Sequence, residues 1–523
     1  VTGTLRILVL HLRTARRMLL AWALGLSLLV VLVARSLTAL YPDLGDRIAY
    51  ATSSSSSQAA IALNGRWGDL TTLGGITTNE VGFLGFLVFP LAGVLIAVGL
   101  TRRQEDFGRV ELLTSGRLGR LAPLAGALLA GVLAILAFGV IATAGLIAVD
   151  LPAAGALRYA ALLTVFALSW LAIGAVCAEV SQDGRTATGF ALLLILAAYV
   201  ARTVVDAAGW DLGWWTPMGW LPLAAPFGAW RWQPYAALTL LTILAATVAG
   251  VVARHRDLGS GLIVPRPGPA FARTGLGTPL GYAWRMTRGI TLAWLVGLGV
   301  WSVALGALSA DMTSIVRANP QLLEVLGIDM LEDLVTSLAL VIGALGAAAL
   351  GVQGIARLSQ EEAAGRLGLV LATPVERRRL IGVWGALIAV GSAVVILAQG
   401  LLTGLATWAS TGSRDALGRS LWAALVLTVP VLLVVAFALA LRGLHPAWDA
   451  ATWVVVGWGA VVGFLGTALD LPAWARDLSP IEAVGRVPMA DPRPWPLGIL
   501  LLGGLALAVL GVHAAGRRDL AKG

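Results

Sequence analysis

Uninterrupted apolar runs of about 20 residues follow one another along nearly the whole chain, the length at which a helix crosses the hydrocarbon core of a bilayer. Read from this pattern, spans fall at 18–38, 81–100, 121–149, 159–180, 188–205, 235–253, 290–310, 334–356, 380–410, 421–441, 450–469 and 496–515. Composition points the same way: 58% of the residues are hydrophobic and 12% charged, where a soluble chain carries about 25% charged. Too few polar residues remain to cover a water-facing surface. The period-two alternation of an outer-membrane barrel is absent. The chain reads as an all-α polytopic membrane protein with 12 transmembrane helices.

The spans fall into two similar sets. TRRQEDFGRVELLTSGRLGRL, at 101–121, stands between the second and third, and RLSQEEAAGRLGLVLATPVERRRLI, at 357–381, between the eighth and ninth. In register, Glu105 falls on Glu362, Gly108 on Gly365, Arg109 on Arg366, Leu112 on Leu369 and Arg120 on Arg377. Leu20-Ala-Trp22 echoes Leu292-Ala-Trp294, Thr216-Pro217 echoes Ser479-Pro480, and Arg256-Asp-Leu258 echoes Arg518-Asp-Leu520. Six spans per set give the halves the same orientation, as two parallel six-helix repeats. An Arg/Gly/Pro segment at 254–278 reads as a linker between halves at 1–253 and 279–523.

The arginines concentrate before the first span, in both charged segments, in the linker and in the tail, which the positive-inside rule assigns to the cytoplasm. Both termini are then cytoplasmic, and the run at 18–38 is too long for a signal peptide and reads as a retained span. Residues 5–17 read as an amphipathic surface helix, with Leu5, Leu8, Leu12 and Ala15 on its apolar side; 282–288 reads as a second such approach. The loops at 41–80, with its five serines read as a flexible linker, and at 311–333, read as an amphipathic surface helix, fall outside. Six tryptophans at 210–232 mark an interfacial loop. Each charged segment reads as a polar helix, 101–120 and 357–379. Val110, Leu112 and Leu113, then Leu367, Leu369, Val370 and Leu371, give these helices an apolar side that needs a cover, and docking of a protein is the reading this favours over a solvated connector.

Several chemistries are excluded. Cys177 is the only cysteine, and His11, His255, His445 and His513 are scattered without ligand spacing, so no metal site is read. The only lysine, Lys522, is followed only by Gly523, so there is no P-loop. The net charge of +9 is spread over loops rather than gathered on a nucleic-acid face.

The pattern E-[ED]-x-x-G-R-x-x-L with an ATPVERRRL ending resembles the membrane subunits of bacterial ABC exporters. It is most similar to the polyketide-antibiotic and multidrug exporters in which two six-span halves are fused. The resemblance implies that each charged segment is a coupling helix seated in a groove of a separate ATPase subunit, in two copies, which binds ATP and Mg. It assigns docking to Glu105, Gly108, Arg109, Leu112 and Leu113, and to Glu361, Glu362, Gly365, Arg366 and Leu369. It further implies export of a hydrophobic small molecule across the bacterial cytoplasmic membrane by alternating access. The copies differ, since Glu111 aligns with Gly368 and Arg117 with Pro374, so equal coupling is not expected.

Polar groups inside a membrane are costly and are functional candidates by default. Gln353 and Gln399 lie deepest and, with Glu179, are candidates for the substrate path, with helix-to-helix hydrogen bonding as the plainer reading. Arg35, Glu179 and Arg202, nearer span ends, have snorkelling as theirs. A proton-driven secondary transporter is the alternative: Asp106-Phe-Gly108-Arg109 partly mimics its signature, although no buried carboxylate suited to proton coupling stands out. A membrane sensor coupled to an ATPase is a third reading, disfavoured by the small loops.

Overall fold

The computed structural model describes residues 2–114, 118–257, 259–262, 271, 275–318, 331–465 and 471–518. Among them every regular element is a helix, and eleven helices are long and apolar enough to cross a membrane. The protein is an all-α polytopic membrane protein. Its contacts divide it into two compact units, Val1–Pro267 and Gly268–Gly523, a division inside the 254–278 segment.

The first unit opens with α1 (Thr4–Thr14) and α2 (Arg16–Leu40), followed by α3 (Leu44–Ser56), α4 (Gln58–Asn64) and α5 (Leu73–Leu100). Two short helices, α6 (Arg102–Asp106) and α7 (Arg109–Thr114), lead to α8 (Ala122–Ala148), α9 (Ala153–Val180) and α10 (Gly184–Ala208). The short α11 (Trp220–Leu223), within the tryptophan-rich stretch, and the span α12 (Gln233–His255) complete it. The second unit contains α13 (Pro279–Ala318), α14 (Leu331–Ala363), the short α15 (Arg366–Leu371), α16 (Arg377–Thr411), α17 (Asp415–Leu444), α18 (Thr452–Leu465), α19 (Ala473–Asp477), α20 (Pro480–Ala483) and α21 (Pro494–Arg517).

Within each unit the spans pack in the same pairs. α5 lies on α2, α8, α9 and α10, and α9 also on α8, α10 and α12; correspondingly α14 lies on α13, α16, α17 and α18, and α17 also on α16, α18 and α21. Their sequences allow close approach because small residues line the contacts. A methyl group on Gly93 would fall 2.6 Å from the Ala167 carbonyl of α9, and one on Gly400 would fall 2.4 Å from Ala424 of α17, the small-residue packing that lipid-embedded helices use.

Several expectations are corrected. The second span begins at Leu73 rather than 81, capped by Thr72, whose hydroxyl accepts the Gly75 N–H at 3.0 Å. Its polar first turns are buried rather than looped out, Thr77, Thr78 and Asn79 included. The serine run is not a flexible linker: its first four residues are helical, with the Ser53 and Ser56 hydroxyls donating to Tyr50 and Thr52 carbonyls one turn back, and Ser57 caps α4. The approach at 282–288 is continuous with its span in α13, whereas α1 and α2 break at Ala15.

α1 has a second face. Thr4, Ile7 and His11 are its buried residues, and a methyl on Gly126 of α8 would fall 2.6 Å from Ile7; Leu5 and Leu12 face outward. Arg202 does not snorkel. It is 1% exposed, lies 4.3 Å from the Phe86 ring centre, and donates to Ala62 and Leu63 carbonyls and to Asp206 at 2.7–2.9 Å. The expected span at 450–469 is described as far as α18, 14 residues; 466–470 lie outside the described residues, as do 263–270 and 272–274 of the linker, 319–330 of the expected outer helix, Arg117, Leu258 and the last five positions.

Candidate functional site

The two charged segments fold alike, and neither is one helix. Gly108, at φ 68°, breaks the first between α6 and α7, and Gly365, at φ 71°, breaks the second between α14 and α15. Among the described residues no atom lies within 4 Å of where a Cβ would stand at either position. The glycines are needed for the left-handed backbone, not for space.

After each glycine the short helix presents the same faces. Val110 and Leu367, in register, are buried; Leu112 and Leu369, in register, are 78% and 75% exposed. Arg109 donates to Gln104 at 3.0 Å, and Arg366 donates to both oxygens of Glu361, in register with Gln104, at 2.7 and 2.8 Å. That bond holds the Arg366 pKa above its ordinary value. Leu113 is half-buried and Glu111 exposed.

Glu105 and Glu362 face inward instead. Arg256, just past the end of α12, donates to Glu105 Oε1 at 2.5 Å and Oε2 at 3.0 Å and also pairs with Glu179; Arg102 reaches Glu105 at 2.6 Å. Arg120 then donates to the Arg256 carbonyl at 2.5 Å. In the second unit Arg518, just past α21, donates to Glu362 at 2.9 and 3.2 Å, Arg442 also pairs with Glu362, and Arg377 donates to the Arg518 carbonyl. Burial works against the charge on Arg256, but the hydrogen bonds to Glu105 and Glu179 outweigh it and raise its pKa above the usual arginine value.

One position is inverted. Where the first unit has Glu179 at the end of its fourth span, the second has Arg442. The first unit balances its two acids with Arg102 and Arg256; at the place of Arg102 the second has Ser359, which bonds Asp449 instead. A buried cluster needs its charges matched, and each unit matches them by a different set.

Cavities lie beside both turns. In the first unit one of about 520 Å³ is lined by α1, by Glu105, Arg109, Leu112 and Leu113, and by Glu179 and Arg256. In the second a smaller one, about 270 Å³, lies between the start of α13 and Leu369, Val370 and Val375. Among the sequence candidates for a substrate path, only Glu179 lines either cavity. Gln353 accepts from the Trp294 indole at 3.2 Å, and Gln399 donates to the Leu298 carbonyl at 2.8 Å. Both glutamines hold neighbouring turns of α13. The arginines of the clusters, Arg102, Arg120, Arg256, Arg377, Arg442 and Arg518, were not singled out as site residues from sequence, although the Arg256/Arg518 and Arg120/Arg377 matches were the available signal.

Comparison with known proteins decides the family. Residues 276–515 match the family described as the C-terminal domain of the multidrug efflux system permease Rv1217c. Over 535 aligned residues the chain is 33% identical to the multidrug efflux system permease protein Rv1217c of Mycobacterium tuberculosis, covering 99% of this chain and 95% of that protein. The chain belongs to this family of multidrug efflux system permeases. In the permease, then, the repeated glycine turns and their buried ion clusters are features of a multi-pass membrane transporter. Among their exposed residues are Arg109 and Leu112 in the first half and Arg366 and Leu369, in register with them, in the second.

Proposed function

We propose that this permease is the transmembrane subunit of an ATP-driven ABC exporter that moves hydrophobic drugs or antibiotics out of the cytoplasm or inner leaflet. A separate ATPase, in two copies, binds ATP and Mg and docks on the two glycine turns, at the exposed Arg109, Leu112, Arg366 and Leu369. The acids Glu105 and Glu362 act behind the docking surface, tying each turn to the end of the last span of its half. Movement of a docked turn therefore pulls on that span, and alternating access follows when ATP binding favours one arrangement of the bundle over the other. The permease sits in the bacterial cytoplasmic membrane with both termini and both turns on the cytoplasmic side, in keeping with the arginine distribution.

The observation that carries this reading is the repetition of an exposed leucine on a left-handed glycine turn, clamped from behind by an acid–arginine cluster, in both halves. The test is co-purification with the ATPase encoded beside it, comparing substrate-stimulated ATP turnover for wild type, Leu112→Asp and Leu369→Asp. The reading expects wild type to hold the ATPase and each aspartate to weaken the complex without unfolding the chain, because surface substitutions cost within about 0.5 kcal/mol. Failure of wild type to bind any ATPase, with dye efflux in vesicles driven by a proton gradient alone, would replace it with a secondary transporter.

A further inference from the structure

A third cavity lies in the second unit, away from its glycine turn. It is a slot of about 530 Å³ between α16, α17 and α21, with Gly382, Ala386, Leu433, Gly504 and Ala508 among its walls. Along α21 its lining runs from Leu500 to His513, about 20 Å at 1.5 Å per residue. One leaflet of hydrocarbon is about 15 Å deep, so the slot has the length of a lipid chain rather than of a compact ligand.

One end of the slot is basic. Arg378 and His513 both line it where α16 begins and α21 ends. The Arg378 stem lies across Gly516, where a methyl group would fall 2.4 Å from its Cγ, so this arginine bridges two of the slot's walls. Among the described residues neither Arg378 nor His513 has an ion-pair or hydrogen-bond partner, unlike Arg377 and Arg518 beside them. The first half supplies a contrast. Aligned on the Arg120/Arg377 and Arg256/Arg518 matches, the counterparts of Arg378 and His513 are Leu121 and Val251. The repeated fold therefore does not require basic residues at these two places.

We propose that this slot holds one acyl chain of an anionic phospholipid, with the head-group phosphate at Arg378 and His513. The apolar walls take the chain, and a guanidinium free of internal partners is suited to a phosphate. A zwitterionic lipid brings the same phosphate but adds a cation beside Arg378, so net-negative head groups are selected. The site is independent of the ATPase reading and belongs to the second half alone.

The test reconstitutes the full chain in vesicles of phosphatidylcholine and phosphatidylglycerol containing a trace of either lipid with a photoactivatable group in its acyl chain. Labelled peptides are then mapped by mass spectrometry. Peptides of α17 and α21 that wall the slot should be labelled at least about fivefold more by the phosphatidylglycerol probe, since each basic residue near a membrane surface contributes on that scale. Arg378→Leu with His513→Val, which installs the first half's residues, should erase the preference while leaving residual labelling. Ala508→Trp should block labelling by both probes. A single elution peak and an unchanged melting temperature identify variants that have kept their fold; if either variant loses its fold, the wild-type preference and its competition by unlabelled phosphatidylglycerol decide. Equal labelling of wild type by both probes, or a preference that survives the double substitution, overturns the proposal. So does a slot labelled by neither probe but crosslinked to a second copy of the chain.

Discussion

The Arg256 guanidinium grips both oxygens of Glu105, at 2.5 and 3.0 Å. The acid stands one turn before the Gly108 break and the arginine follows the last helix of the same half. This joins the surface turn to the far end of the unit's sequence, and Arg518 does the same to Glu362.

Removing one member of such a cluster strands its partners in a low-dielectric site. Arg256→Met leaves Glu105 and Glu179 buried without their shared arginine, and the loss should be about 3–5 kcal/mol. Thermal unfolding in detergent checks this, with Arg254→Met, two residues away and, among the described residues, outside the cluster, as the control that should move little. Equal melting temperatures for the two variants would show that the cluster contributes nothing to holding the turn.

The inverted position gives a sharper test. Arg442→Glu alone places a second carboxylate beside Glu362 and should destabilise the second half. Adding Ser359→Arg puts an arginine at the place of Arg102, facing Glu362, the new glutamate and Asp449, and should recover part of the lost stability. Unfolding of the single and double variants, with Ser359→Arg alone completing the cycle, measures the coupling, expected at about 0.5–3 kcal/mol for residues of one network. Additive effects would mean that the two halves balance their charges independently of these positions.

Much of this was legible from sequence, and the limits have physical causes. Apolar run length sets helix spans, so the membrane class and most spans can be read directly. Gly108 and Gly365 recur because a backbone angle demands them, and identical residues in register expose that demand. The partner of Glu105, however, is 151 positions away, and nothing local distinguishes a buried clamp from a docking charge. Glu179 and Arg442 carry opposite charges at corresponding places, so in an alignment they look like a failed match. Only geometry shows them as two solutions to one balance. A sequence reading starts the second span at 81 because Thr77, Thr78 and Asn79 are polar, although they pack inside the unit.

The glycine turns predict a cost set by backbone alone. Gly108→Ala and Gly365→Ala meet no atom of the described residues within 4 Å, yet each forces a Cβ into the left-handed region, worth about 1–2 kcal/mol. Asparagine, which tolerates that region better, should be milder at both sites. Melting temperatures of the four variants check the order; alanine as well tolerated as glycine would mean that the turns relax to another conformation.

His11 makes the docking of α1 sensitive to acid. It is buried against the cavity that also holds Glu105, Glu179, Arg109, Arg120 and Arg256, and burial lowers its pKa from the ordinary 6.5. The released helix therefore takes up a proton before the docked one. Docking is at full strength above about pH 6.5 and weakens as the pH falls through that value toward the lowered folded pKa. Hydrogen exchange of residues 4–14 should speed up between about pH 7.5 and 5.5 relative to the same peptides corrected for intrinsic exchange, and His11→Leu should remove the pH dependence. An unchanged protection profile in wild type would rule out the histidine as its source.

Gln399 is the point where three helices of the second unit meet. It is 1% exposed, and its amide donates to the Leu298 carbonyl of α13 at 2.8 Å. Among the described residues its Oε1 has no hydrogen-bond partner, and it lies over Gly343 of α14, so close that a Cβ there would be 1.4 Å away. Gly343→Ala must then displace the glutamine and break its bond to α13, whereas in a Gln399→Ala background the same methyl enters vacated space. The two substitutions should be strongly non-additive, with the double variant more stable than the sum of the singles by about 0.5–3 kcal/mol. Transport separates this packing role from substrate contact. If Gln399 only joins helices, Gln399→Ala and Gly343→Ala should lower efflux of all tested dyes in parallel with stability. A change in which dyes are exported by Gln399→Ala, with stability unchanged, would place the glutamine on the substrate path instead.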